Sequence, residues 1–244
     1  MKNFFFLVAM AVVCIAYPSC SEKDDSGIIQ FEDDNFRLKI LERNPQIDKN
    51  HDSQISYQEA ESITSLTVYH SKYSSSGMIR SMIEIYGFKN LENLSCGENL
   101  LSHLSVDANL SLYTLDCSNN QISSLFLGEN TRMTHLNCSG NQLTALKILP
   151  NTGLIDVKCA NNRLERLDLG RNEVLEALDC SNNRLTALDV GKSTKLKSLK
   201  CSGNPLTSIR ISKYHNLDEF TIRSIIREYG DIITSVSYTH LRAH

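Results

Sequence analysis

The apolar residues of this chain recur with a fixed step. Leu91, Leu112, Met133, Leu154, Leu175 and Leu196 stand 21 residues apart, and each opens a unit of the form LxxLxCxxNxLxxLx[LVI]xxxxx. Branched aliphatics fill the fourth place, from Leu94 and Leu115 through Leu136, Val157 and Leu178 to Leu199. They return at the eleventh place (Leu101 to Leu206), the fourteenth (Leu104 to Ile209) and the sixteenth (Val106 to Ile211). A fixed period of this length predicts a solenoid, in which each coil buries its apolar edge against the next. Within LxxLxCxxN the alternation has period two, so Leu and Cys point inward from a short strand while their neighbours point out. Stacked coils place these strands in a parallel sheet, roughly 4.8 Å apart, and turn every inward position into a column of like residues.

Two columns carry chemistry. Asn99, Asn120, Asn141, Asn162, Asn183 and Asn204 stand where the chain turns off the strand. An amide there both donates and accepts, so it can satisfy backbone groups of the next coil that the turn leaves unpaired. The second column is Cys96, Cys117, Cys138, Cys159, Cys180 and Cys201. Cysteines in a secreted chain suggest disulfides. Here neighbours have near-parallel Cα–Cβ bonds and stand a strand spacing apart, farther than the roughly 3.8 Å between Cβ atoms that a disulfide takes. They read as a ladder of free thiols, packed as small polarizable hydrophobes. Zinc fits poorly, because each coil offers one thiol and no His at ligand spacing.

Residues 31–90 precede the regular units. Among them DKNHDSQISYQE, residues 48–59, places Asp48, Asn50 and Asp52 first, third and fifth in a twelve-residue loop. Gln54 would offer its backbone carbonyl from the seventh place, Ile55 is the apolar eighth residue, and Glu59 closes the loop with a bidentate carboxylate. The loop resembles an EF-hand calcium loop. The resemblance implies one calcium ion held by Asp48, Asn50, Asp52, Gln54 and Glu59. Ser53 stands where that family carries Gly at a sharp turn, which weakens the expected affinity, yet near-millimolar extracellular calcium fills even a weak loop. NFRLKILER before it predicts one or two helical turns with Phe36, Ile40 and Leu41 on one face. The segment is therefore expected to form a small α-helical, EF-hand-like cap over the open N-terminal edge of the solenoid. ITSLTV (63–68) reads as the start of a coil, and IRSMIEIYGF (79–88) leads into the first full unit. At the far end Leu217, Phe220 and Ile222 continue the first, fourth and sixth places, with Ile for Cys, as a closing coil over 217–235.

The two termini add a compartment. The chain begins MKNFFFLVAMAVVCIAYPSC, a Lys and then an apolar run from Phe4 to about Ala16. That run is too short to span a bilayer and has the form of a signal peptide over 1–19. It closes on Tyr17-Pro18-Ser19-Cys20, which resembles a bacterial lipobox. The resemblance implies a lipid on Cys20, with 20–30 as the linker from the anchor. SEKDD after it resembles the surface-export signal of Bacteroidetes lipoproteins, which implies the outer face of the outer membrane. The closing SVSYTHLRAH resembles translated sequencing adapter, so the native chain is expected to diverge after about Ser235, leaving 236–244 as a tail. A net charge of −3 without basic blocks lacks the concentrated positive footprint that nucleic acid requires.

The six units over 91–216 resemble the 21-residue, cysteine-bearing leucine-rich repeats of bacterial surface proteins, both internalin-like proteins and Bacteroides lipoproteins. The resemblance implies an extracellular interaction scaffold and no particular ligand. Catalysis leaves no trace: the seven His residues neither cluster nor pair with a nucleophile, and Asp116, Asp168, Asp179 and Asp189 fall at outward, solvated places. A binding face is expected on the outward strand columns, Asn93 to Ser198 and Ser95 to Lys200, which are small and polar. Tyr113, Phe126 and His135 are the best anchors, with a basic row of Arg163 over Arg184 and another of Arg171, Lys192 and Lys213. The expected function is a lipid-anchored cell-surface protein that binds an extracellular protein or glycan without catalysis. The alternative is a rigid stalk that presents a downstream module.

Overall fold

The computed structural model describes residues 27–71, 73, 76–211, 216–230 and 233–234; the signal segment, Cys20, Lys213 and the tail lie outside them. Each 21-residue unit makes one coil, and its first strand joins a parallel sheet of seven. The members are β1 (Ser65–Thr67), β2 (Asn93–Ser95), β4 (Thr114–Asp116), β6 (His135–Asn137), β7 (Asp156–Lys158), β8 (Ala177–Asp179) and β10 (Ser198–Lys200). The register holds from end to end, with Leu66, Leu94, Leu115, Leu136, Val157, Leu178 and Leu199 in one line. A slip of one residue would turn that whole line out to water. Further along each coil lies a second, interrupted set of strands. β3 (His103–Ser105) pairs with β5 (Ser124–Phe126), and β9 (Ala187–Val190) pairs with β11 (Ser208–Ile211), which takes β12 (Ile233–Thr234) on its far side. Residues 145–148 and 166–169 of the middle coils form no strand, although Leu146, Ile148, Leu167 and Leu169 are buried as the pattern requires.

The asparagine column stitches the coils together. Oδ1 of Asn120 accepts from Leu101 N–H at 3.0 Å, and its Nδ2 donates to the carbonyls of Cys96, Cys117 and Ser118 at 3.1, 3.1 and 3.2 Å. Asn99, Asn141, Asn162, Asn183 and Asn204 repeat the arrangement. Each amide reaches back to the preceding coil, where the sequence led us to expect the next. The reason is local. Ser118 N–H turns aside to Oδ1 of Asp116 at 3.0 Å, which leaves the Cys96 carbonyl for the following coil's amide, and the backbone bonds between coils resume from Glu98 N–H to Ser118 O at 3.0 Å. Asp179 does the same with Ser181 at 3.1 Å and Asn137 with Ser139 at 3.2 Å. Asp116 and Asp179 are thus turn-forming acceptors as well as solvated charges.

A second buried amide column lies in the opposite turn. Asn109, Asn130, Asn151 and Asn172 are 0% exposed. Their Nδ2 atoms donate to backbone carbonyls such as Ile85 and Phe88, Val106 and Leu127, Ile148 and Asn151. Ser193 closes the column through a hydroxyl bond to Asn172 O at 3.2 Å. A third column is conformational. Glu98, Asn119, Gly140, Asn161, Asn182 and Gly203 all have φ between 53° and 69°, the left-handed region that is costly for residues with a side chain. Asn119 and Asn182 each lean over the next coil. A Cβ at Gly140 or Gly203 would stand 2.2 Å from the leaning Oδ1, which is why glycine follows asparagine in both places.

Both ends are closed. α1 (Asp34–Arg43) starts at Asp33, whose carboxylate caps Asn35 N–H at 2.9 Å and also accepts from Arg80 and Ser81 N–H, tying the helix to the first coil. Its Phe36 is buried between Phe31 and Phe88, with ring centroids 5.3 and 6.2 Å away. At the other end Leu217 keeps the first place of a coil, but the chain then departs from the expected strand. Asp218 caps Thr221 N–H at 2.7 Å and starts α3 (Glu219–Tyr229), which buries Thr221, Ile225 and Tyr229 at four-residue spacing and leaves Phe220 82% exposed. The Tyr229 hydroxyl lies 3.2 Å from the Cys201 carbonyl. In every earlier coil a following asparagine fills that place, so Tyr229 terminates the ladder.

Two substitutions test this stitching by urea unfolding. Asn183→Ala strips partners from Leu164 N–H and the Cys159 carbonyl and is expected to cost about 3 kcal/mol or more. Gly140→Ala is expected to cost about 1–2 kcal/mol through its left-handed backbone, and adding Asn119→Gly should recover the steric part of that loss. Unchanged unfolding midpoints would contradict both.

Candidate binding face and cap loop

The seven-stranded sheet offers the most continuous surface. Its outward residues form a shallow groove of about 290 Å3, lined by Ser95, Thr114, Asp116, His135, Asn137 and Lys158 among others. Hydroxyls and amides dominate, and Thr114 Oγ1 donates along its column to Asn93 Oδ1 at 2.7 Å. Charges appear mainly in the later coils and are neutralised within the face. Lys158 lies 3.6 Å from Asp156, and Lys200 lies 3.9 Å from Asp179. A second groove, of about 750 Å3, opens where the other strand set is interrupted, with Arg166, Asp168, Asp189, Lys192 and Arg210 on its walls.

The expected contact residues do not form one site. His135 is on β6, in the seven-stranded face. Tyr113 sits just before β4 and stacks under Arg132, whose guanidinium carbon is 4.5 Å from the ring centroid and whose Nη2 bonds the Tyr113 hydroxyl. Sequence reading missed Arg132, although its 19-residue offset from Tyr113 puts it beside the ring only once the coil is drawn. Phe126 lies on β5, in the other strand set, 49% exposed. Arg163 and Arg184 are exposed in the turn that follows the asparagine column. Three separate surfaces therefore share the five residues.

The cap loop winds inward on its own backbone. Oδ1 and Oδ2 of Asp48 accept from Asp52 and Ser53 N–H at 3.1 and 2.9 Å, and Asp52 Oδ1 accepts from Gln54 N–H at 2.7 Å. Asn50 Nδ2 donates to Asp52 Oδ2 at 2.8 Å. Ser53 takes φ 60°, the left-handed turn that glycine would provide at this place, and His51 does the same. Ile55 is buried, and its carbonyl accepts from Ile29 N–H at 2.8 Å. Glu59 belongs to α2 (Tyr57–Ala60) and forms a capping box with Ser56. Burial pushes its carboxyl up, but bonds from Ser56 N–H, the Ser56 hydroxyl and Lys49 N–H outweigh that and hold it below the usual range. In kind, these are the hard oxygen donors of a calcium loop. In position they are incompletely gathered: among the described residues no three His, Cys, Asp or Glu side chains converge as ligands of one ion do. A cation would have to draw Asp52 and Glu59 away from their present partners.

The thiols are unsuited to nucleophilic work. All six are free and buried. Burial pushes each of them up, with neighbouring thiols or Asp116 and Asp179 adding to it, and Cys201, beside Glu228, reaches about 12. Of the described histidines, His70 lies 3.2 Å from the buried Lys39 amine, and His103 and His135 each hold the hydroxyl of the preceding residue, Ser102 and Thr134, at 2.9 Å.

No protein-family model and no curated protein matches the chain. Solved structures do. A leucine-rich-repeat protein of Leptospira interrogans superposes with a TM-score of 0.55 at 20% identity, over 73% of this chain and 51% of that one. YopM from Yersinia enterocolitica WA-314 superposes at 0.53 with 24% identity, over 63% of this chain and 32% of that one. The chain spans about half the length of the first and a third of the second. The functional domain of InlJ from Listeria monocytogenes, which includes a cysteine ladder, aligns at a TM-score of only 0.36 and adds nothing to the fold. The architecture is that of a leucine-rich-repeat solenoid.

The thiol ladder predicts an alkaline limit on stability. Unfolded thiols ionise above about pH 8.5, whereas the native ones keep their protons, so the unfolded state binds fewer protons and stability falls as pH rises. Each thiol contributes a slope of at most about 1.4 kcal/mol per pH unit, across a window that closes near 12 for Cys201. Urea midpoints between pH 7 and 10 should fall steeply, and less steeply in Cys138→Ala. A flat profile would contradict buried, protonated thiols.

Proposed function

We propose that this chain is a lipid-anchored, cell-surface binding protein whose seven-stranded face receives a protein partner without catalysis. The observation that carries the reading is the state of that face. Seven strands run in unbroken register and present small polar side chains outward, while the inward columns are taken up by internal packing. A ruled polar surface of this kind suits an extended partner read by many modest contacts, with Tyr113, Arg132 and His135 as local anchors. Phe126, Arg163 and Arg184 lie on other surfaces and are left out of this face.

The anchor is Cys20 and the location is the outer face of an outer membrane, on the strength of the lipobox and the SEKDD segment. The cap carries calcium, held by Asp48, Asn50, Asp52, Glu59 and the Gln54 carbonyl. Its role is to lock α1 and the loop onto the first coil. What supports this is the donor set, the left-handed turn at Ser53 and the pairing of Ile55 with Ile29.

Two measurements test the reading. The chain from Ser21 to Ser235 is screened against extracellular host proteins and glycans; any hit should weaken at least about tenfold when Thr114→Arg and Asn137→Arg fill the groove, and Lys147→Glu should leave it unchanged. Hits indifferent to the groove variants would move the site elsewhere, and hits confined to glycans would replace the protein partner. Separately, calcium should raise the melting temperature of the native chain and fail to do so in Asp48→Ala and Glu59→Gln. No rise in the native chain would remove the ion from the account.

A further inference from the structure

The side of the solenoid formed by β3 and β5 carries an apolar ridge that the proposed binding face does not use. The 3-10 helix Ile83–Gly87 leads into the first full coil. Ile83 and Tyr86, three residues apart, share one face of it and are 47% and 48% exposed, while Glu84, Ile85 and Gly87 are buried. The helix packs beside β3, and β3 pairs with β5, where Phe126 stands opposite the small Ser105 and is 49% exposed. Tyr57 extends the ridge on its other flank. Its hydroxyl lies 3.1 Å from that of Tyr86, with ring centroids 6.4 Å apart. One coil beyond Phe126 the repeat places Lys147, also exposed.

The position of this ridge relative to the start of the described chain says what covers it. Gly27 is held against Tyr57, whose N–H donates to the Gly27 carbonyl at 2.9 Å. Only residues 21–26 separate Gly27 from Cys20, a distance of at most about 24 Å when fully extended. A lipid on Cys20 therefore holds the Tyr57–Tyr86 end of the ridge within one short tether of the bilayer. The side chains suit that place. Tyrosine buries an apolar ring and keeps its hydroxyl among headgroups, Ile and Phe enter the acyl boundary, and Lys meets lipid phosphate.

We propose that Tyr57, Ile83, Tyr86 and Phe126 form a membrane-contact ridge that seats on the lipid surface carrying the chain. The inference rests on lipid attachment at Cys20. A lipid on Cys20 leaves the body free to turn about its tether, and a second contact of this kind fixes the orientation. Because the ridge lies on the β3–β5 side, seating it leaves the seven-stranded face open to a partner.

The chain contains no Trp, so each substitution gives a single reporter. The lipidated full chain is mixed with vesicles of phosphatidylethanolamine and phosphatidylglycerol, and flotation is measured beside quenching by brominated acyl chains. The expected result is flotation, with Phe126→Trp and Tyr86→Trp blue-shifted and quenched by about half and His135→Trp unquenched. Flotation without quenching of the ridge reporters overturns the ridge while leaving the anchor intact. Failure to float overturns the anchor and the ridge with it. A blue shift of Phe126→Trp that grows with protein concentration in the absence of vesicles assigns the ridge to a second copy of the chain and overturns the lipid contact.

Discussion

A coil of 21 residues cannot satisfy its own backbone at the turn that follows its strand, and that deficit governs the rest of the structure. The backbone bonds between coils pass over the cysteine carbonyl, running from Cys96 N–H to Asp116 O and then from Glu98 N–H to Ser118 O, and in three coils the N–H that would reach it is drawn to a side chain, as Ser118 is to Asp116. The cysteine carbonyl and the N–H five residues on would be buried without partners, each at a cost of about 1–3 kcal/mol. One asparagine from the following coil satisfies both. Since each amide also bonds its own coil, no coil is complete without the one after it. The need passes along the stack until Tyr229 supplies a hydroxyl in place of the last amide.

Interior and exterior divide cleanly from this. Leucine, cysteine and two asparagine columns fill the inside, where the thiols are small enough for the narrow space beside the strand and stay protonated. The outward column that begins at Asn93 carries none of that burden, so its identities vary from coil to coil: Asn93, Thr114, His135, Asp156, Ala177 and Ser198 share one column without sharing a chemistry. A column under packing constraint stays uniform. One that varies is free to be shaped by a partner.

The sequence made the coils legible because their physics repeats. The strand register, the buried thiols and the Asn99 to Asn204 column could each be read from the 21-residue period. The second amide column, Asn109 to Asn172, has the same period and was open to the same reading, but asparagine in a variable, polar turn gives no sign of being 0% exposed. The helix Glu219–Tyr229 was hidden for another reason. Leu217, Phe220 and Ile222 satisfy a strand-like place list, and only the capping bond from Asp218 and the four-residue spacing of Thr221, Ile225 and Tyr229 decide for a helix. The candidate site was less legible still. Tyr113, Phe126, His135 and Arg163 follow one another within three coils, yet a coil turns through all its faces in 21 residues, so nearness in sequence says little about a shared surface. In the cap loop, donor types were readable and their convergence was not, since it depends on which backbone N–H groups the carboxylates meet first.

Amide hydrogen exchange tests the central claim, that buried asparagine amides hold the coils together. The N–H groups of Ile122, Leu143 and Leu164 each donate to an asparagine Oδ1 in the next coil, whereas Gly170 and Gly191 N–H bond only to exposed aspartates. The account predicts that the first three exchange with the slowest amides of the seven-stranded sheet and that the two glycines exchange far faster. Exchange of Ile122, Leu143 and Leu164 at the rate of Gly170 would contradict it.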